Sequence, residues 1–176
     1  MRWGRRAAAI LLGLALLGCE DEPDVAPLTP ADYASQFAQR EQPLDARGGQ
    51  TLYVPIYSNI LAAEGARPTE MAATLAIRNT DIEHEIFITR VDYYDTAGKL
   101  IESYLDGIYG LGPMASAFIL INVSDQRGGL GANFLVTWRS ETAVSDPVVE
   151  AIMVGASGTK GFSFTSQARV TEQFGG

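Results

Sequence analysis

From Thr51 onward the chain breaks into short stretches of β-branched and aromatic residues, parted by turn-forming residues every ten or so positions. No other feature limits the fold as much. Strands of that length joined by tight turns close into an antiparallel sandwich or barrel. The stretches are 51–57, 71–78, 85–94, 99–105, 114–123, 132–139, 148–154 and 161–170. Within them apolar and polar positions alternate, as a half-buried strand requires. Leu75 and Ile77 share a face, as do Phe134, Val136 and Trp138; in 85–94, Phe87, Val91 and Tyr93 point one way and Arg90 and Asp92 the other. Pro55 marks an edge or a bulge. Asp95-Thr96-Ala97-Gly98 has hairpin-turn chemistry. Asp146-Pro147 could open a helix, but Val148, Val149 and Ile152 are weak helix formers, so a strand is expected there. No helix long enough for a parallel crossover interrupts the series. The expected fold is all-β: an antiparallel, immunoglobulin-like β-sandwich of about eight strands over 51–170, with 171–176 as a C-terminal tail.

The N-terminus is of another kind. Arg2, Arg5 and Arg6 precede an apolar run at 7–17, which is 11 residues long. A permanent helical span needs about 20. A basic start, a short apolar stretch and small residues describe a secretory signal peptide over 1–18. The run ends Leu16-Leu17-Gly18-Cys19, which resembles the lipobox of bacterial lipoproteins. That resemblance implies cleavage before Cys19 and a diacylglyceryl group on its sulfur. A thiolate is the strongest nucleophile available for such an alkylation. One acyl chain binds a membrane only marginally, whereas two or more anchor it stably. The membrane is therefore the expected partner, through lipid on Cys19. The expected location is the cell envelope, facing the periplasm, with Glu20 at the place where aspartate favours retention in the inner membrane and so pointing to the outer one.

Residues 19–50 read as a lipid-anchored flexible tether, rich in acids and carrying Pro23, Pro27, Pro30 and Pro43. Thr29 and Pro30 are suited to cap and start a short helix through Arg40, with Tyr33 and Phe37 on one face, either packed on the domain or lying free of it. As a coil such a tether reaches about 30 Å. The whole chain has a formal charge of −8. Cleavage after residue 18 removes three arginines and no acid, which leaves ten cations against 21 acids and a charge of −11. That balance opposes nucleic acid as a partner. Cys19 is the only cysteine, so disulfides, cysteine zinc sites and cysteine nucleophiles are excluded once it is modified.

Five blocks carry a family resemblance. They are Tyr53-Val54-Pro55-Ile56-Tyr57-Ser58, Ile77-Arg78-Asn79-Thr80, Tyr93-Tyr94-Asp95-Thr96 with Gly98-Lys99, Gly128-Gly129-Leu130-Gly131-Ala132-Asn133-Phe134 with Trp138, and Gly161-Phe162-Ser163-Phe164-Thr165-Ser166. Together, over 51–169, they resemble the bacterial domain-of-unknown-function family 3124. Ala168 stands where that pattern has a glycine before Arg169. The resemblance implies domain limits and location and brings no activity with it.

Candidate sites are few. His84 is the only histidine, and its surroundings, Thr80-Asp81-Ile82-Glu83-His84-Glu85, read as an exposed polar turn; no Gly-x-Ser-x-Gly elbow accompanies it. Asp81, Glu83 and Asp95 are the candidate calcium ligands of an acidic edge that also holds Glu85 and Asp92, yet the Asp-x-Asp-x-Asp-Gly loop is absent. A carboxylate pair for glycoside hydrolysis is available by chance in any chain with 21 acids. Gly128-Gly129-Leu130-Gly131 leads into an alternating strand, so it reads as a hairpin loop and not a phosphate loop. Six tyrosines, Tyr53, Tyr57, Tyr93, Tyr94, Tyr104 and Tyr109, suit half-buried sheet positions or a binding surface. Adjacent Tyr93 and Tyr94 must point to opposite faces, with the outward one near Arg78 or Arg90. Arg78, Asn79, Tyr94 and Asn133 form the candidate ligand or partner patch. No catalytic residue, resident metal or cofactor is expected. The expected function is a non-enzymatic, lipid-anchored binding or envelope-assembly domain whose partner is an envelope protein or small ligand. The competing expectations are a periplasmic hydrolase using a carboxylate pair and a calcium-dependent binding module.

Overall fold

The computed structural model describes residues 26–61, 64–65 and 67–175. The signal peptide and Cys19 lie outside the described residues. In chain order the elements are α1 (Pro30–Ala34), β1 (Ala38–Arg40), β2 (Gly48–Pro55), β3 (Asn59–Ile60), β4 (Thr69–Arg78), β5 (Ile86–Tyr94), β6 (Leu100–Ser103), β7 (Ile108–Leu111), β8 (Ser116–Ile121), β9 (Asn133–Ser140), β10 (Val148–Ser157), β11 (Lys160–Gln167) and β12 (Arg169–Phe174). No described helix is long and apolar enough to cross a membrane.

Two antiparallel sheets pack face to face. One has the order β1-β7-β5-β9-β2-β12, with β6 also on β5; the other has β11-β10-β4-β3, with β8 also on β4. Alternation fills the space between them. Val54, Val91, Tyr93, Phe134, Val136 and Trp138 come from the first sheet. Met71, Leu75, Ile77, Ile119, Ile121 and Met153 come from the second. The all-β sandwich is therefore as expected, and all eight predicted stretches contain strand.

The differences have local causes. The helix ends at Ala34, not Arg40, because 38–40 pair with β7. Its single turn is held by a capping box: the Thr29 hydroxyl accepts from the Asp32 amide at 3.3 Å, and the Asp32 carboxylate accepts from the Thr29 amide at 2.8 Å. So short a helix is stable only through its packing. Tyr33 sits edge-on to Tyr104 with ring centres 5.5 Å apart, and Phe37 meets Tyr109 at 6.2 Å. From Thr29 onward, then, the expected tether is part of the domain. Residues 108–111, expected as loop, form β7, which pairs with β1 and β5.

In β5 the register with β9 shifts between Ile88 and Arg90. This bulge reverses the side chains before it. Ile86 and Ile88 join Val91 and Tyr93 in the core, and Phe87 turns outward beneath the Arg40 guanidinium, 4.7 Å from its ring centre. The expectation that Phe87 shares a face with Val91 fails for that reason. The stretch 161–170 is two strands, since the chain changes sheets at Ala168, whose amide donates to Val149 O at 3.0 Å. Ala168 needs no left-handed backbone there. β12 runs on to Phe174, which the Arg139 guanidinium covers at 3.2 Å, so most of the expected tail is paired strand.

Candidate functional site

Three of the sequence blocks meet at one end of the sandwich. The core hydroxyl of Tyr93 lies 3.2 Å from Ser58 Oγ, and burial pushes the Tyr93 phenol up from its ordinary range. Thr96 clamps the glycine loop, since its hydroxyl donates to Gly128 O and accepts from the Gly131 amide, both at 2.9 Å. The Ser58 amide donates to Gly129 O at 3.1 Å. Gly128 itself is required by proximity. A Cβ there would lie 2.1 Å from the Tyr93 hydroxyl and 2.7 Å from the Ala132 Cβ. Gly129 has φ +75°, so the hairpin-loop reading of these glycines agrees with the backbone.

Beside this knot opens a cleft of about 560 Å³, lined by residues 26–28 and by Tyr33, Glu102, Tyr104, Asn122, Asp125 and Arg127 among others. Tyr104 follows β6 directly, and its amide donates to Val91 O at 2.9 Å, which fixes the ring under α1. The residue is 7% exposed, and its hydroxyl, which makes no hydrogen bond among the described residues, is among the atoms that reach solvent. Burial, reinforced by the nearby Tyr33, Glu102 and Asp125, pushes the Tyr104 phenol well above its ordinary range. The polar wall is built around Arg127. Its Nε donates to Asp125 Oδ1 at 3.0 Å and its Nη2 to Asp125 Oδ2 at 2.8 Å, while Glu102 lies 3.9 Å from Nη1. This fork holds the Asp125 carboxyl below its ordinary range and strengthens the hold of Arg127 on its proton. A second cleft of about 480 Å³ lies on the other side of Tyr104, against Phe37, Asp106 and Tyr109.

The four residues of the expected patch do not converge. Arg78 and Asn79 end β4; Tyr94 and Asn133 are paired neighbours at the far end of β5, about 25 Å away along the strand. Arg78 forms an ion pair with Glu150 on the outer face of the second sheet. Asn79 is buried, and its carboxamide nitrogen donates to His84 O, Leu111 O and Gly112 O at 2.8, 3.0 and 3.0 Å. Tyr94 points outward beside Arg90, not Arg78, in a closed cluster where Arg90 donates to Asp92 at 2.5 Å and Ser103 to Asp92 at 2.7 Å. Asn133 makes no side-chain hydrogen bond among the described residues.

The acidic candidates are also apart. Asp81 accepts from the amides of Glu83, His84 and Ser145 at 2.9, 2.8 and 3.0 Å, which holds its carboxyl well below the ordinary range. Its Oδ1 is also 3.2 Å from His84 Nδ1. Asp95 accepts from the amides of Ala97 and Lys99 at the opposite end of β5, and Glu83 is exposed. Among the described residues no three His, Cys, Asp or Glu side chains are placed to hold a metal ion. Sequence reading named Tyr104 only within a set of tyrosines and passed over Glu102, Asp125 and Arg127. The one signal was an Asp-Gln-Arg triplet directly before the glycine loop.

No curated protein matches this chain. A solved structure, that of Thermotoga maritima 1070, is 13% identical over 71% of this chain and 97% of its own, with a TM-score of 0.43, a likeness too loose to carry an argument. The family comparison is decisive: a model described as "Protein of unknown function (DUF3124)" matches residues 49–171, and the chain belongs to that family.

Proposed function

We propose that this chain is a lipid-anchored envelope protein that acts by binding, and that the cleft around Tyr104 is its binding surface. The observation that carries the reading is a tyrosine whose ring is buried but whose hydroxyl reaches solvent, makes no hydrogen bond among the described residues, and sits at a cleft walled by residues 26–28. A hydroxyl fixed by a buried ring and left open to solvent is placed to bond a ligand that enters the cleft. In sequence, residues 26–28 follow closely on Cys19. Six residues separate Cys19 from Ala26, and the seven steps between the two span at most about 25 Å at full extension. A lipid on that sulfur thus keeps the cleft close to the membrane surface. Glu20 favours the outer membrane, and the acidic charge keeps the partner from being nucleic acid.

The hydrolase reading gains no support. Glu102 and Asp125 face one cleft, but the Arg127 fork lowers Asp125, the reverse of what a general acid needs. A calcium module gains none either, since the Asp81 oxygens are already taken up by backbone amides.

The test has two arms. Intact-mass analysis of the membrane form should show acyl chains on Cys19, and Cys19→Ser should release the protein to the soluble fraction. An unmodified thiol would sink the anchoring. Affinity capture from envelope extracts should then return a partner or ligand that Arg127→Ala loses, with Arg78→Ala as the control. Equal capture by both variants would remove the cleft from the account.

A further inference from the structure

The sandwich leaves several strand edges open, and all but one are guarded. The edge of β8 is capped by α1 and the turn after it. There the Gln36 carboxamide accepts from the Phe118 amide at 3.0 Å and donates to Phe118 O at 2.8 Å, and the Tyr33 hydroxyl donates to Leu120 O at 3.0 Å. Those bonds replace a strand. β1 and β3 are three and two residues long. β6 is four residues long and carries Glu102. β12 is broken by a register shift between Val170 and Glu172 and carries Arg169 and Glu172. Shortness, charge, irregularity and covering are the ordinary means of keeping an edge from pairing.

β11 has none of them. Lys160–Gln167 pairs with β10 residue for residue, without a bulge, and among the described residues nothing pairs along its other side. It holds no proline and no acid, and its one charge is Lys160 at the hairpin end. We infer that the free edge of β11 is a strand-addition surface whose occupant is β11 of a second copy, paired antiparallel.

Register and charge select a second copy. Phe162, Phe164 and Ser166 turn toward the core, and Gly161, Ser163 and Thr165 turn outward. Pairing that keeps the core face continuous must join inward with inward residues. A two-fold axis through Ser163 does so. It sets Phe162 of each copy opposite Phe164 of the other, two aromatic cross-strand pairs, and Gly161 opposite Thr165. The chain is strongly acidic, yet this edge brings none of the 21 acids of one copy onto the same strand of the other. The two Lys160 ammonium groups fall about 20 Å apart, beyond the screening length. Edge pairing alone buries less than a stable interface needs, and confinement of the copies to one membrane raises their effective concentration.

A cysteine on the axis tests this. Facing residues of an antiparallel pair have Cα atoms about 4.5–5.5 Å apart, within disulfide range. The full chain carrying Ser163→Cys, oxidised mildly in isolated membranes, should form a disulfide dimer of twice the chain mass. Ser116→Cys, on the outer face of β8, and the unaltered chain should give at least five-fold less. A monomeric Ser163→Cys chain, equal dimer from Ser116→Cys, or a cross-link to an unrelated protein would each overturn the proposal. Loss of the cross-link with acylation of Cys19 intact would reject this edge and leave the anchoring reading standing.

Discussion

The two ends of the sandwich use polar residues in opposite ways. At the end where β4 leads into β5, Asn79 and Asp81 are consumed by backbone: seven hydrogen bonds from or to these two side chains knit 79–85 to Leu111, Gly112 and Ser145. At the other end the Thr96 and Tyr93 hydroxyls close a similar knot, but beside it the Tyr104 hydroxyl and the Arg127 fork face an open cleft. The residue types that most suggest chemistry, a histidine among carboxylates, sit at the end where the side-chain bonds described go to backbone. Open chemistry sits where a tyrosine hydroxyl reaches solvent with no partner among the described residues. Satisfaction, more than residue type, separates the two.

The comparison can be broken most forcefully at Asn79. Asn79→Ala strands three carbonyls and the Asp81 amide in one step. Buried groups left unpaired cost about 3 kcal/mol together, to be read by urea unfolding. A loss under 1 kcal/mol would mean that this end is not the staple described. Gly128→Ala comes next. Its φ of −71° suits alanine, so the penalty is steric alone, from a Cβ pressed hardest on the Tyr93 hydroxyl and less on Ala132 Cβ and Ser58 Oγ. We expect a loss of about 2 kcal/mol. Tyr93→Phe in the same chain should recover at least half of it, although Tyr93→Phe alone costs about 1 kcal/mol through Ser58. No recovery would place the clash elsewhere.

Asp81 sharpens the contrast through pH. The amides of Glu83, Ser145 and His84, in that order, favour its charged form in the folded chain. Its contribution is therefore complete above the ordinary aspartate value of 3.8 and is lost as pH falls through the lower folded value. Asp81→Asn should be less stable than the parent at pH 6, and the gap should narrow as pH drops toward about 2. A gap independent of pH would show that the carboxylate charge plays no part.

How far the sequence could lead is clearest in particular residues. Strict alternation in β9 placed Phe134, Val136 and Trp138 on the core without error, because period-two patterning is a direct record of burial. The same reasoning put Phe87 on the wrong face, since one extra residue in β5 inverts the count and leaves no local mark. Asp95 to Gly98 announced its turn through residue chemistry, and the Asp95 carboxylate does accept the amides that the motif requires. The break at Ala168 had no such sign, because both halves of 161–170 read as one strand. Arg78, Asn79, Tyr94 and Asn133 were grouped by type, and no one-dimensional signal reports that eight residues of strand hold the pairs apart. The cleft was the least legible feature. Its walls come from α1, β6, β8 and the following loop, elements distant in sequence and joined only by the fold.

The smallest effect on stability is the most telling. Tyr104→Phe removes a hydroxyl that has no partner among the described residues to strand and keeps the ring that packs on Tyr33 and Phe134. Its stability should stay within about 0.5 kcal/mol of the parent, in contrast to the loss at Asn79. If the hydroxyl is held for a ligand, the same variant should lose capture of that ligand by ten-fold or more, since a missing hydrogen bond to a buried group costs about 1.4 kcal/mol. Stability and binding should therefore part company at Tyr104, whereas a structural tyrosine such as Tyr93 would lose the first and spare the second. A Tyr104→Phe chain that unfolds early yet binds as before would assign the residue to the scaffold and leave the two ends of the sandwich alike.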